Sequence, residues 1–247
     1  MEENNNYRKI QEAIDSLPDN FSILEEQIDV DMQMEYFKQA RDKRNNGKIE
    51  DLQNAEAMLC DPGMAPRGKK QLLVRLAGQD EVEAFRIIER FHKKTRGKLR
   101  KWAVLALQES RMILQSTLLG EQQVFISTGL GGKGQNIRYF IALIKKDKLS
   151  PFSAMQKKVI EDELNFFLEK EEGGLEQMHF DEELALGSFL FPLKKNLQEI
   201  FRSFIEECNQ YGNFLNEDVI ITNVKTLTAE EVRHFLQQQQ KGQTPEF

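Results

Sequence analysis

Apolar positions recur at helical intervals through the first 120 residues and alternate afterwards, so the chain changes period near Gly120. In "YRKIQEAIDSL" the residues Ile10, Ile14 and Leu17 share one face of a helix that Pro18 stops. "DMQMEYFKQARDKR" and "KIEDLQNAEAMLCD" predict two more helices, broken apart by "NNG" at 45–47, and "RGKKQLLVRLAG" predicts a fourth that ends at Gly78. "DEVEAFRIIERFHKK" predicts a fifth, with Val82, Phe85, Ile88 and Phe91 as its apolar stripe, Asp80 as its cap and "TRG" at 95–97 as its end. The sixth, "KLRKWAVLALQESRMIL", places Leu99, Trp102, Ala103, Ala106, Leu107 and Met112 on its core side. Short amphipathic helices joined by tight turns pack as antiparallel pairs, and pairs in succession build a curved stack.

Beyond Gly120 the alternating runs "QVFISTGL" and "NIRYFIALIKK" predict strands on either side of a glycine-rich stretch. "FSAMQKKVIEDELNFFLEK" predicts a helix, "GLEQMHF" and "LALGSFLFPL" a strand pair, "LQEIFRSFIEECNQYG" a helix and "DVIITNVKTL" a strand. A final helix is expected after Thr228, with Thr228 as N-cap and Glu231 closing a capping box. Without its first strand this order is βαββαβ, which resembles the ferredoxin-like arrangement; right-handed crossovers then place both helices on one sheet face. The fold class expected is therefore α+β: a helical domain over 1–120, a ferredoxin-like domain over 121–236 and a polar, disordered tail over 237–247.

The stretch "EVEAFRIIERFHKKTRGKLRKWAVLALQ" resembles a HEAT-type repeat, with Arg100, Trp102, Ala103 and Ala106 supplying the basic start and small-residue core face of its second helix. That resemblance implies a helical stack with a binding surface and names no ligand.

Charge changes the picture more than composition does. The chain of 247 residues is 40% hydrophobic and 30% charged, ordinary for a globular protein, with a net charge of −6. Residues 1–63 hold 7 Lys/Arg against 15 Asp/Glu, residues 64–158 hold 20 against 7, and residues 159–247 hold 7 against 18. The middle segment is as basic as many nucleic-acid-binding modules, although it could equally neutralise its acidic flanks on folding. "MEENNNYRKI" lacks the features of a secretory leader, and the longest apolar runs are far shorter than a membrane span, so a cytoplasmic address is the expectation. Cys60 and Cys208, without a CxxC, suggest neither a disulfide framework nor zinc, and both read as core or half-buried residues.

Two stretches carry candidate chemistry. "STGLGGKGQN" satisfies G-x-G-x-x-G through Gly129, Gly131 and Gly134, but a strand follows where a dinucleotide site needs a helix, and Lys133 precedes Gly134 where a P-loop needs Ser or Thr. A kinase-type glycine loop lacks its partner motifs as well. What remains is a hairpin whose glycines Gly129, Gly131, Gly132 and Gly134 either turn the chain or form a contact loop with Lys133 at the tip. The second stretch, "HKKTRGKLRKW", clusters Lys93, Lys94, Arg96, Lys98, Arg100 and Lys101 around a helix–helix turn. Such a cluster can neutralise phosphates, and Lys133 and Arg138 belong to the same basic segment. The alternatives are a solvated surface or a dock for the acidic C-terminal third. Strand "LGSFLF" lacks the aromatic pattern of RNA-recognition domains, so Phe189 and Phe191 read as core. His179 and Asp181 share a strand face without a third ligand nearby and read as a surface pair, and no triad or metal set is legible.

These features point to a non-enzymatic binding protein that needs no cofactor and engages RNA, or an RNA-containing assembly, through the basic segment. A protein–protein adaptor using the helical stack is the alternative; an enzyme acting on a phosphorylated small molecule at the glycine hairpin comes third.

Overall fold

The computed structural model describes residues 14, 16–18, 21–43, 48–121 and 123–240. Of the first expected helix only its end falls among them, with Ile14 helical. The "NNG" break and residues 241–247 of the expected tail lie outside. The described residues form eight helices and seven strands in two units. One unit runs over Leu17–Ser127; the other is built from Thr128 onward and takes in the described residues before Leu17.

The helical unit contains α1 (Val30–Lys43), α2 (Leu52–Cys60), α3 (Pro66–Ala77), α4 (Val82–Lys94) and α5 (Gly97–Leu119). Pro66 suits the first turn of α3, where its missing N–H costs nothing. Gly120 ends α5 in the left-handed region at φ +67. Helix α5 packs against both α3 and α4, and its buried run Trp102–Ala106 lies at the middle of the core. Trp102 is fully buried, donates its indole N–H to the Lys70 carbonyl at 3.1 Å and meets the Tyr36 ring edge-on at 5.2 Å. The Tyr36 hydroxyl donates to the buried Glu109 carboxylate at 2.5 Å, which gives both polar groups a partner inside an apolar core.

Three expectations change here. The buried stripe of α4 is Ala84, Ile87, Ile88 and Phe91, while Val82 is 58% exposed. The expected stripe advanced by threes; the true one follows i, i+3, i+4, i+7, which keeps to one side of a 3.6-residue turn. Asp80 does not cap α4, whose N-cap is Glu81 without a side-chain bond; Asp80 accepts instead from Thr117. The run 123–130 is not one strand. Only β2 (Phe125–Ile126) is extended, and it pairs in parallel with β1 (Ser22–Ile23), a strand the sequence did not announce.

The second unit holds one antiparallel sheet of β3 (Gly132–Lys133), β4 (Asn136–Lys145), β5 (Gly174–Asp181), β6 (Leu184–Pro192) and β7 (Leu215–Thr222). Across the sheet the long strands run β7-β4-β6-β5, with β3 paired to the start of β4. Helix α6 (Ala154–Lys170) connects β4 to β5, and α7 (Leu197–Gln210) connects β6 to β7. Ser153 and Gln156 form a capping box at the start of α6, and the Asn196 side chain caps α7. Residues Ile141, Leu143, Phe189, Phe191 and Leu215 form one core with Ile160, Leu164, Phe201 and Phe204 of the two helices. The alternate positions Phe140, Ala142, Ile144 and Ile220 belong to a second core with Leu130 and α8 (Ala229–Gln240). The sheet is therefore covered on both faces.

Helix α8 starts with the expected box, Thr228 Oγ1 accepting from the Glu231 N–H and Glu231 from the Thr228 N–H. It continues to Gln240, so residues 237–240, assigned to the tail from sequence, are helical. Strand β7 begins at Leu215, three residues earlier than expected, because the Asn209 amide holds the Leu215 N–H and C=O at 2.8 and 3.0 Å.

Candidate nucleic-acid interface

Only Thr95 and Arg96 separate α4 from α5, and both are extended. The last turn of α4 carries His92, Lys93 and Lys94, whose charge complements the negative end of the helix dipole. Helix α5 opens without a side-chain cap, so its first N–H groups lie beside Arg96 and Lys98. Geometry thus collects at one turn what the sequence lists in a row.

The six candidate cations of this turn divide into two groups. Arg100 is committed: it grips Glu26 with two parallel bonds of 2.8 and 2.7 Å. His92 lies 3.9 Å from the same carboxylate, and its pKa is lowered by burial first and by the neighbouring Arg100 second, so it adds no charge at neutral pH. Lys93 reaches Glu89 at 3.3 Å but remains exposed. Arg96 is exposed and leans on the Lys93 and Thr95 carbonyls at 3.3 and 3.1 Å. Lys94 and Lys98 are exposed and Lys101 is half-buried, and none of these three has an ion-pair partner among the described residues.

Pairing elsewhere takes up part of the large positive excess of residues 64–158. Lys70 binds Glu35 at 3.1 Å, Arg90 binds Glu56 at 2.7 Å and Arg100 binds Glu26, each joining the basic segment to the acidic first 63 residues. Over residues 17–127 the sequence holds 18 Lys/Arg and 17 Asp/Glu, so the helical unit is nearly neutral as a whole. The α4–α5 turn is a local exception rather than one end of a uniformly basic body.

Lys133 and Arg138 belong to the other unit. Arg138 is engaged with Glu176 at 2.5 and 2.8 Å and donates to the Leu130 carbonyl at 3.0 Å, and this pairing holds the Glu176 pKa below its usual value. Lys133 is exposed beside the β3–β4 turn, where Gly134 takes φ +62 as the first residue of a two-residue loop.

The remaining glycines serve the fold. A Cβ on Gly129 would lie 1.7 Å from the Val224 carbonyl oxygen, so no side chain fits where the loop presses on the chain after β7. The Leu130 N–H bonds the Asn223 carbonyl at 3.0 Å and the Gly131 N–H bonds Thr128 at 3.3 Å. The Gly131 carbonyl accepts from the Arg138 N–H and the Thr128 hydroxyl, and Gly132 pairs with Ile137 in the ladder. The loop's N–H groups at 130 and 131 are turned inward, and its tip presents Lys133.

Other candidates settle into structural roles. Phe189 and Phe191 are fully buried, and Asp181 accepts from Arg233 of α8. No group of three or more His, Cys, Asp or Glu side chains placed to hold a metal occurs among the described residues, and no helix there is long and apolar enough to cross a membrane. One feature escaped the sequence reading: a groove of 1190 Å³ along α7 and β7. Its only sequence signal is the breadth of the apolar arc on α7, where Leu197, Phe201, Phe204, Ile205 and Cys208 exceed what one face needs. Comparison of the chain with known protein families and with curated proteins gives no match.

Proposed function

We propose that this protein is a non-enzymatic binding protein that engages RNA, alone or within a ribonucleoprotein, through the α4–α5 turn. The observation that carries the reading is the contrast within the helical unit. Lys70, Arg90 and Arg100 are each neutralised by a specific carboxylate, whereas Lys94, Lys98 and Lys101 gather at one turn without one. Cations so grouped can replace the counterions of a phosphate backbone. Lys93 and Arg96 extend the same surface. The α4–α5 hairpin with its small-residue core supports a HEAT-like reading of the helical unit. The β7-β4-β6-β5 order with two crossover helices supports a ferredoxin-like reading of the sheet unit. The two cores lie on opposite faces of that sheet, so Phe189 and Phe191 are core side chains rather than a stacking surface for bases.

The test is binding of a labelled single-stranded RNA across a salt series. The five cations of the turn give a log–log slope of about −3.5, at about −0.7 per phosphate. Lys94→Glu with Lys98→Glu is expected to weaken binding about tenfold or more and to flatten the slope, with an unchanged thermal midpoint because both side chains are exposed. Unchanged affinity in that double variant removes the turn as the site.

A protein–protein adaptor is the second reading, favoured by apolar side chains that the helical unit leaves outside: Leu118 at 78%, Met34 at 65%, Leu119 at 62% and Val82 at 58% exposed. A salt-independent complex with a protein chain, lost on Leu118→Asp, would replace the RNA reading.

A further inference from the structure

The groove of 1190 Å³ lies wholly within the sheet unit, and its floor is apolar: Phe201 and Ile205 from α7, Val219 and Ile221 from β7 and Tyr139 from β4. Among the described residues β7 pairs with β4 alone, so its other side is a free edge. The register fixes which backbone groups lie there. Strand β6 runs along one side of β4, and β3 and β7 share the other. On that shared side the Arg138 N–H bonds the Gly131 carbonyl and the Lys146 N–H bonds the Phe214 carbonyl, both at 2.9 Å, so the even-numbered residues of β4 bond toward β7. Ile220 and Thr222, opposite Ala142 and Phe140, therefore bond inward to β4. Val219 and Ile221, opposite Leu143 and Ile141, turn their N–H and C=O groups outward. The same two residues thus present backbone to the edge and apolar side chains to the groove. Edge strands are commonly blunted by Pro, Lys or a bulge. Here the irregular register falls before Val219, and "VIIT" at 219–222 carries neither a charge nor a Pro.

We propose that this edge takes an extended segment of another protein as an added strand, with alternate apolar side chains laid over Phe201 and Ile205 and a lysine or arginine beside Glu217. Charge selects this occupant over a second copy of the chain. Of the four charged residues lining the groove, Lys195 is held by Glu171 at 2.8 Å and Arg202 by Glu206 at 3.1 Å, which leaves Glu217 without a counter-ion among the described residues. Asp218 follows it, exposed and likewise without an ion pair there. A second β7 would bring the same two carboxylates again, whereas a cationic segment supplies the missing charge. Length agrees as well. Helix α7 lines the groove from Leu197 to Gln210, about 21 Å, which an extended segment of about six residues spans at about 3.4 Å each. Nothing in this site depends on RNA binding at the α4–α5 turn.

The experiment uses two end-blocked peptides, KVTVTVK and EVTVTVE, and residue-resolved amide exchange by NMR on the full-length protein. In the free protein Ile220 and Thr222 are expected to exchange slowly and Val219 and Ile221 fast. Saturating KVTVTVK should slow Val219 and Ile221 about tenfold or more, and EVTVTVE should bind about tenfold more weakly. Glu217→Lys should reverse that preference. Val219→Pro removes an outward N–H that the β4 ladder does not use, so it should abolish peptide binding while Ile220 and Thr222 stay protected, the sign of an intact sheet. Val219 and Ile221 already protected without peptide would mean that the chain covers its own edge, and protection that rises with protein concentration would mean a second copy; either overturns the proposal. So does an absence of slowing at millimolar KVTVTVK, or equal affinity of the two peptides for wild type.

Discussion

At the scale of single residues, Cys60 and Cys208 show how little a residue type says without its surroundings. Both read from sequence as core or half-buried residues. Cys60 ends α2 and is exposed, whereas Cys208 is fully buried on α7, and burial, then the nearby Glu163 and Glu207, pushes its thiol pKa up to about 12. Thiolate is the reactive form, so one equivalent of thiol should react with a disulfide reagent in the native protein at pH 8, and the second only after denaturation. Two fast native equivalents would contradict the packing of α7. Trp102 was legible as core because its neighbours repeat at helical spacing, but its partners Lys70 and Tyr36 were not, since they come from other helices. Arg100 and Lys98 look alike in the string "GKLRK". They differ because Glu26, 74 positions away from Arg100, reaches only one of them.

At the scale of elements, the order of strands and helices after Gly134 followed from period and turn residues, because each element there is long enough to repeat its pattern. The run 123–130 failed because three parts of it have three different partners: Phe125 and Ile126 pair with β1, Gly129 presses on Val224 and Leu130 enters a core. Local pattern cannot announce such a division. Helix α8 sets the two forces on an element against each other. Val232 is fully buried, whereas Arg233 binds Asp181, Glu182 and Glu183 at 3.0 to 3.3 Å with its side chain 30% exposed. Large-to-small changes in a core cost about 2 kcal/mol and part-exposed ion pairs about 1 kcal/mol or less. Denaturant unfolding is therefore expected to show Val232→Ala as more damaging than Arg233→Ala, and the reverse order would make α8 an electrostatic rather than an apolar attachment.

For the molecule as a whole, specific ion pairs tie the basic middle of the sequence to its acidic flanks, Lys70, Arg90 and Arg100 to the first and Arg138 to the second, which only the folded chain displays. That pairing sets the response to acid. Arg90 holds Glu56, Lys195 holds Glu171 and Arg138 holds Glu176 below the usual carboxylate value of 4.5. Such groups stabilise fully above 4.5, and the benefit is lost as pH falls through their lowered values. His92 acts in a higher window: burial lowers it from 6.5, so below pH 6.5 the unfolded chain takes up a proton that the folded chain resists. The thermal midpoint should be flat from pH 8 to about 7, decline from 6.5 and fall more steeply below 4.5. His92→Gln should level the upper part of that curve, and an unaltered curve would mean the imidazole protonates freely in the fold.

The short parallel pair of β1 and β2 has a topological consequence. Ser22 faces Phe125 and Ile23 faces Ile126, so the chain enters and leaves the helical unit at strand spacing, about 4.8 Å. The helical unit is in effect an insertion hung from a closed gate, and the residues on either side of it belong to the other unit. Ends held that close are the condition under which a unit can be excised, replaced or circularly permuted without stretching what remains.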